Sequence, residues 1–353
     1  MCPVDEFRTR GSHFEVGQAI GRCFSAQIRR SLGSYPLLKK ILAYHRTSEG
    51  QARYQELLEV NRARYPGYLA ELEGLAEGAD YPFEELLLAN LRGEYGGYLD
   101  KGGRGCFDCA LVSEDAALFG HNEDGSPAFQ DSYYVIHAQV DDKPAYPTLC
   151  YPGFLCGNAF GFNAAGICFS CDSVQPQQVR VGIGRHLIAR SLLEATSLED
   201  AIRRVTVPGR ASGFSYTIGS IPERRIVHVE VAPEAHHVRE IEGCYVHTNH
   251  YRTLDVPQVT GRSSRARLQR AAEILQRDPP VDAGGVLTVL GDEEDGQYPI
   301  YRTGTPSDSS VTLCTALFDL DARWLRIYSG HPSRTQEQFV QFSLGQGQAG
   351  PPA

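Results

Sequence analysis

Gly105-Cys106-Phe107-Asp108-Cys109-Ala110-Leu111-Val112 and, after Ser113-Glu114-Asp115-Ala116, the run Ala117-Leu118-Phe119-Gly120-His121-Asn122-Glu123-Asp124 decide how this chain reads. Two β-rich runs flank a short polar interval, which predicts a hairpin with a four-residue loop. A cysteine opens the first strand and a carboxylate closes the second. Antiparallel pairing returns the end of the second strand to the start of the first, so Cys106 and Asp124 are expected near one another although 18 positions apart. The pair marks a candidate active site.

Cys106 follows a glycine, and a cut between the two changes its chemistry. The new terminus carries a thiol and a free α-amine with ordinary pKa values of about 8.5 and 7.7–8.0. Such an amine accepts the thiol proton near neutral pH, so one residue supplies nucleophile and base. Gly105 leaves the scissile carbonyl sterically open. Amide cleavage through a thiol also needs donors for the oxyanion of a tetrahedral intermediate.

Arg104-Gly105-Cys106, Gly120-His121-Asn122-Glu123-Asp124, Gly161-Phe162-Asn163-Ala164-Ala165-Gly166 and His247-Thr248-Asn249-His250 form an ordered set across most of the chain. In that set the chain resembles the acyl-coenzyme A:6-aminopenicillanate acyltransferase family, N-terminal-nucleophile hydrolases that mature by autoproteolysis before the cysteine, and more distantly the choloylglycine hydrolases. The resemblance implies an α+β fold, a four-layer αββα sandwich. It implies a cut at Gly105–Cys106 into a helical fragment 1–105 and a catalytic part 106–345 that stay associated. Cys106 is then the nucleophile, and Asp124 orients the new α-ammonium or binds a polar substrate group. Asn249 and Asn163 are expected as oxyanion donors and Arg265 as an active-site arginine, with Arg262 and Arg267 near enough to leave that register open. His121 and Asn122, inside the same motif, are expected to bind substrate. Asn163 and Asp124 equally suit turns. Two departures stand out: His121 replaces an arginine of the choloylglycine relatives, and Arg104 replaces an acidic residue of the penicillin enzyme.

Composition sets the outer bounds. A chain of 353 residues with 42% hydrophobic and 10% aromatic residues can bury a sizeable core. A net charge of -9 argues against a nucleic-acid partner, since phosphate binding wants clustered Lys and Arg. No run of 18 apolar residues implies a membrane span. The first residues lack the layout of a signal peptide and the chain ends Gly-Pro-Pro-Ala without a peroxisomal tripeptide, so a cytoplasmic location and an enzyme other than the fungal one are expected. Ten cysteines in such a chain are read as reduced thiols. Two Cys-x-x-Cys pairs, Cys106/Cys109 and Cys168/Cys171, have zinc spacing, but they sit in strand-like runs without the glycine turns of a knuckle.

Helical periodicity covers residues 14–31 through Phe14, Val16, Ile20, Phe24, Ile28 and Leu32, then residues 51–65 up to Pro66, and a further segment starting after Pro82. Gly93, Gly96, Gly97, Gly102, Gly103 and Gly105 form a glycine-rich approach to Cys106. Beyond it, residues 132–140, 166–171, 213–219, 225–231 and 245–248 read as strands, with a closing hairpin over 311–320 and 324–328. Helices are expected over 185–195, 198–205, 263–276 and 281–290, and a frayed tail over 346–353. Strands in hairpins and helices in separate runs indicate α+β layers.

The function expected is a self-processing cysteine hydrolase that cleaves a linear amide, or passes its acyl group to an amine, through an acyl-enzyme on Cys106. Residues 151–155 offer an apolar acyl wall. Hydrolysis is preferred over transfer because water is always available and no coenzyme A site is recognisable; no cofactor or metal is called for. The partners expected are a small amide or thioester substrate and the chain's own N-terminal fragment. Two alternatives remain: an aminopeptidase-like hydrolase of β-alanyl or similar aminoacyl amides, and a zinc-stabilised, non-catalytic binding protein.

Overall fold

The computed structural model describes residues 5–96, 105–130, 132–334 and 339–344. The glycines expected at 97, 102 and 103, Arg104 and the tail 346–353 lie outside the described residues. The chain opens with a strand, β1 (Glu6–Gly11), and runs through α1 (His13–Ser34), α2 (Pro36–His45), α3 (Ser48–Arg64), α4 (Pro66–Ala79), α5 (Phe83–Asn90) and α6 (Arg92–Gly96). Then come β2 (Phe107–Val112), β3 (Ala117–Gly125), β4 (Tyr134–Val140), β5 (Tyr146–Cys150), β6 (Phe160–Phe162) and β7 (Ile167–Asp172). Helices α7 (Arg185–Leu192) and α8 (Leu198–Val205) precede β8 (Phe214–Ser220), β9 (Arg225–Val231), β10 (His236–Glu240) and β11 (Gly243–His247). The described chain closes with α9 (Arg262–Arg277), α10 (Ala283–Leu290), β12 (Thr303–Thr305), β13 (Asp308–Asp319), β14 (Trp324–Tyr328) and β15 (Phe339–Ser343).

Local chemistry explains the helix starts. Ser12 and Glu15 form a capping box, with Ser12 accepting from the Glu15 amide and the Glu15 carboxylate accepting from the Ser12 amide at 2.8 Å. Pro36 and Pro66 occupy first-turn positions, where a missing N–H costs nothing. Pro66 therefore starts α4 instead of ending helical structure. Helices α1 and α4 pack backbone to backbone: a Cβ on Gly17 would lie 1.9 Å from the Glu71 carbonyl, and one on Gly74 would lie 2.1 Å from the Phe14 carbonyl.

Two sheets stack face to face. One runs β1-β4-β5-β6-β7-β8-β9-β10, with β1 parallel to β4 (Glu6 opposite Val135) and its other pairs antiparallel. The other runs β11-β2-β3-β13-β14-β15 and is antiparallel throughout, with β12 beside β13. On the outer face of the second sheet, Phe107, Cys109 and Leu118 pack against Ala271 and Ile274 of α9 and Val286 and Leu290 of α10. On the outer face of the first, α1, α7 and α8 complete a helix–sheet–sheet–helix sandwich, with Phe24 stacked on Tyr134. The fold is α+β in four layers. One core cluster joins Val16, Leu72 and Leu87 of the leading helices to Phe160, Ile218 and Ile327 of the sheets.

The segment before Cys106 is therefore tied to the rest by a strand, a shared core and one buried ion pair. Arg190 of α7 is fully buried and donates to Glu71 of α4 at 2.9 and 3.2 Å, while His13 Nδ1 sits 2.9 Å from the same carboxylate. Burial works to raise the Glu71 carboxyl, but Arg190 and His13 outweigh it and hold it below its ordinary value. A carboxylate lowered on folding stabilises fully above its unfolded pKa of about 4.3 and loses that contribution as pH falls through the lowered value. Glu71→Gln should cost about 3 kcal/mol at pH 7, because it leaves the buried guanidinium with Glu194, 3.3 Å away, as its remaining carboxylate. Urea unfolding reads this directly, and an unchanged midpoint would show that the pair is no strut.

Candidate active site

The hairpin sets the site. Val112 pairs with Ala117 and Phe107 with Asn122, so counting back one step puts Cys106 opposite Glu123 and Gly105 opposite Asp124. Directly opposed residues project to the same face of a sheet. Cys106 Sγ accordingly lies 3.3 Å from Glu123 Oε2, and both line a cavity of about 170 Å³. The carboxylate nearest the thiol is Glu123, not Asp124. The four-residue loop was legible from the sequence, and the same count made from it would have found Glu123.

Behind the thiol, in the gap between the sheets, runs a row of buried acids and imidazoles. His121 places Nε2 2.9 Å from Glu123 Oε2 and Nδ1 2.7 Å from Asp108 Oδ1. Tyr151 donates its hydroxyl to Glu123 Oε1 at 2.7 Å, and Ser170 and Thr217 donate to Asp108. Further along, His247 bridges Asp172 at 3.0 Å and Glu230 at 3.3 Å. Burial opposes charge on His121, yet Cys106 and Asp108 outweigh it and hold the imidazole well above its usual range. Burial and then Glu123 push the Cys106 thiol well up. Cys106 Sγ thus has the Glu123 carboxylate as its hydrogen-bond acceptor. The sets Cys106/His121/Glu123, Asp108/His121/Asp172 and His228/Glu230/His247 each bring three ligand-type atoms within 4.8 Å. Within these sets Glu123 bonds to Cys106 and His121, Asp108 to His121 and Glu230 to His247, while Asp172 Oδ1 and His228 Nε2 are buried without a hydrogen-bond partner among the described residues.

On the other side of the Gly105–Cys106 peptide lie two buried arginines. Arg302 donates to the Gly105 carbonyl at 2.8 Å and pairs with Asp308. Arg267 donates to the Cys106 carbonyl at 3.0 Å and to Asn249 Oδ1 at 2.6 Å. Asp124 Oδ2 lies 3.5 Å from Arg302 and 3.8 Å from Arg267 with no hydrogen bond of its own, while Oδ1 accepts from Thr312 at 2.7 Å. Burial, only partly offset by Arg302 and Arg267, raises the Asp124 carboxyl to about 6. Burial and then Arg302 bring Arg267 down to about 10. Asn249 Nδ2 is buried and unpartnered, and it presses on Gly105, where an added Cβ would sit 1.9 Å from it. Glycine is required before Cys106 by this contact.

Of the residues expected from sequence, Cys106, Gly105, Asp124 and Asn249 come together at the cavity. Asn163 does not: its amide donates to the Leu193 and Ala195 carbonyls and accepts from the Ala165 and Ile167 amides, so it pins a turn. Arg265 is exposed on α9, and Arg267, two residues on and so turned to the buried side of the helix, stands at the site. Asn122 is turned away from the cavity, donating to the Leu290 and Ile300 carbonyls. His121 is fully buried behind Glu123 and Cys106 and does not itself line the cavity. Each Cys-x-x-Cys pair spans three positions of extended chain, and alternation puts its two cysteines on opposite faces. Cys109 faces the helices while Cys106 lines the cavity, so the pairs do not converge on one ion. Arg302 was missed altogether; a lone arginine after Tyr301 carries no sequence signal.

Residues 112–334 match the family described as acyl-coenzyme A:6-aminopenicillanic acid acyl-transferase. The chain belongs to that family. A β-alanyl-dopamine/carcinine hydrolase of Drosophila melanogaster is 30% identical over 361 aligned residues, covering 93% of each chain. The 40 kDa form of an acyl-coenzyme A:6-aminopenicillanic-acid-acyltransferase of Emericella nidulans is 24% identical, covering 94% of each. A crystal structure of a mutant conjugated bile acid hydrolase from Clostridium perfringens aligns with a TM-score of 0.43 at 15% identity, over 67% of this chain and 92% of that one. Membership makes the chain an amide hydrolase or acyltransferase of the N-terminal-nucleophile class, and it overturns the reading as a non-catalytic binding protein. Among the described residues no helix is long and apolar enough to cross a membrane.

The inter-sheet row gives a pH signature. Burial works against protonating His247, but Asp172 and Glu230 raise it to about 9. A histidine raised on folding stabilises fully below its unfolded pKa of about 6.5 and loses that contribution as pH rises through the folded value. Unfolding free energy measured in urea should therefore fall between pH 6.5 and 9, and His247→Gln should flatten that fall. Parallel curves for the two proteins would mean that His247 is neutral in the fold.

Proposed function

We propose that the chain cuts itself between Gly105 and Cys106 and then cleaves a small linear amide through an acyl-enzyme on Cys106. One observation carries this reading: a buried thiol beside a carboxylate follows a glycine whose carbonyl Arg302 holds at 2.8 Å and against which the free Asn249 amide is pressed. Before the cut no α-amine exists, so Glu123 takes the thiol proton while His121 steadies that carboxylate. Sulfur adds to the Gly105 carbonyl, and Arg302 and Asn249 meet the developing oxyanion. The Cys106 nitrogen leaves with a proton, giving a thioester that water opens to a Gly105 carboxylate and a free Cys106 α-amine. In the cut enzyme that amine takes over as base, and Asp124 stands beside it as counter-charge. A substrate amide then acylates Cys106, releases its amine and loses the acyl group to water or to another amine.

The substrate side favours an aminoacyl group. The thiol end of the cavity offers Glu123 backed by the rings of Tyr151 and Phe129, whose centroids are 5.4 Å apart, and a carboxylate among aromatic faces suits an ammonium. The Drosophila relative is named for β-alanyl amides, which carry such a group.

Intact mass spectrometry tests the cut. The parent should give two fragments meeting between Gly105 and Cys106, and Cys106→Ala a single full-length mass. Gly105→Ala should also stay whole, because its methyl displaces Asn249. Glu123→Gln should slow the cut at least tenfold while Glu123→Asp retains part of the rate. A parent that stays full length through long incubation at neutral pH sinks self-processing.

A further inference from the structure

The same cavity carries polar groups that the reaction above leaves idle. His186 and Asn158 are 2% and 5% exposed and line the cavity, and none of their side-chain polar atoms has a hydrogen-bond partner. Buried polar atoms without partners are costly, and a native fold keeps them where a ligand completes them. Beside them stand Arg185 and Arg92, also lining the cavity. Arg185 donates to Ser173 Oγ at 3.1 Å and the Gly213 carbonyl at 3.4 Å, lies over the Phe214 ring and leaves Nε unpartnered. Arg92 lies over the Phe154 ring and, among the described residues, donates only to the Ala89 carbonyl, at 3.4 Å. Among the described residues neither guanidinium has a carboxylate within ion-pair distance. Glu94 sits behind Arg185 and accepts its backbone N–H at 2.9 Å, and burial pushes that carboxyl up against its ionisation. Burial, then Arg92 and Arg185, hold His186 well below its usual range, so it is a neutral donor or acceptor.

The cavity wall thus carries two sets of charge, carboxylates by the nucleophile and two incompletely paired guanidinium groups. We propose that this second set forms a carboxylate-binding subsite and that the substrate is a zwitterionic amide, an aminoacyl group joined to an amino acid. The ammonium of the acyl half faces Glu123. The carboxylate of the leaving amino acid is held by Arg185 and Arg92, with Asn158 and His186 supplying the remaining hydrogen bonds. The proposal rests on the acyl-enzyme reading and adds to it the identity of the leaving half. Hydrolysis then gives two amino acids from one water.

The test uses the self-cut wild-type protein with β-alanyl-alanine, β-alanyl-alaninamide and N-acetyl-β-alanyl-alanine, reading the released amine by mass spectrometry. The free acid should exceed its amide about tenfold or more in kcat/KM, chiefly through KM, and the acetylated form should fall by a similar factor. Arg185→Gln and Arg92→Gln should bring the acid-to-amide ratio towards one, and Arg185→Lys should keep part of it; melting curves check that each variant folds. An acid no better than its amide, or a ratio that survives both glutamine variants, overturns the subsite. Cleavage of N-acetyl-β-alanyl-alanine alone overturns the ammonium half. A cut protein that turns over no amide at all overturns the acyl-enzyme reading itself, and the mass spectrum separates that result from a failure to mature.

Discussion

Burial of ionisable groups in the gap between two sheets governs this molecule. A charge there is tolerated only with a partner, and a thiol there stays protonated unless a neighbour accepts its proton. The register of β2 and β3 answers both demands at once. It sets Cys106 against Glu123 and Asp108 against His121, so the carboxylate that faces the thiol is itself anchored through the imidazole to a second carboxylate. A shift by one residue would turn every one of these side chains to the helix face, where Phe107, Cys109 and Leu118 now pack. The apolar alternation that makes the hairpin fold is therefore the same pattern that aims the nucleophile.

Charge is sorted by face as well as by pairing. Acids and imidazoles fill the inter-sheet side, from Glu123 through Asp108 to Asp172, His247 and Glu230, while the arginines Arg267 and Arg302 approach from the side of α9 and β12. The Gly105–Cys106 peptide lies where the two sets meet. Its carbonyl oxygen sees guanidinium and its sulfur sees carboxylate, which is the polarity that drives electrons from sulfur towards carbonyl carbon. Neither set alone would do this. Arg302 gets there from a position 197 residues away in sequence, by way of the β12–β13 edge.

The sequence carried the layers and half of the site, and the physical reason differs for each part. Strong periodicity announced α1, α7 to α10 and the long strands, because a face that packs on a core must repeat. Helix α4 escaped because Pro66 read as the end of α3, although proline at the first turn is compatible with a helix. Strand β1 escaped because its partner β4 is supplied by tertiary structure, more than a hundred residues on. Asn249 and Cys106 were legible as motif members. Asn163 and Asn122 carried the same kind of signal, yet their amides bind backbone carbonyls, a role that motif position does not distinguish from catalysis. Glu123 lay in plain view inside the motif and needed only the hairpin count. Arg267 required the helix face to be fixed, and α9 turns residues 263, 264 and 267 inward while 265 meets solvent.

A cut at Gly105 would make two charges from none, and the fold already holds an opposite for each. The new ammonium on Cys106 would arise next to Asp124, whose Oδ2 has no hydrogen bond and whose carboxyl burial keeps near 6. A cation there would favour the ionised form and fill the vacant acceptor. The new carboxylate on Gly105 would arise on Arg302, which already grips that oxygen. Both fragments would keep their places, because Tyr35 and Arg92 from one side of the cut and Phe129, Tyr151 and Arg185 from the other line the same cavity as the thiol. The wall that selects a substrate would thus be built before the base that acts on it exists. Breaking one peptide bond would then change the chemistry of the site without reshaping it.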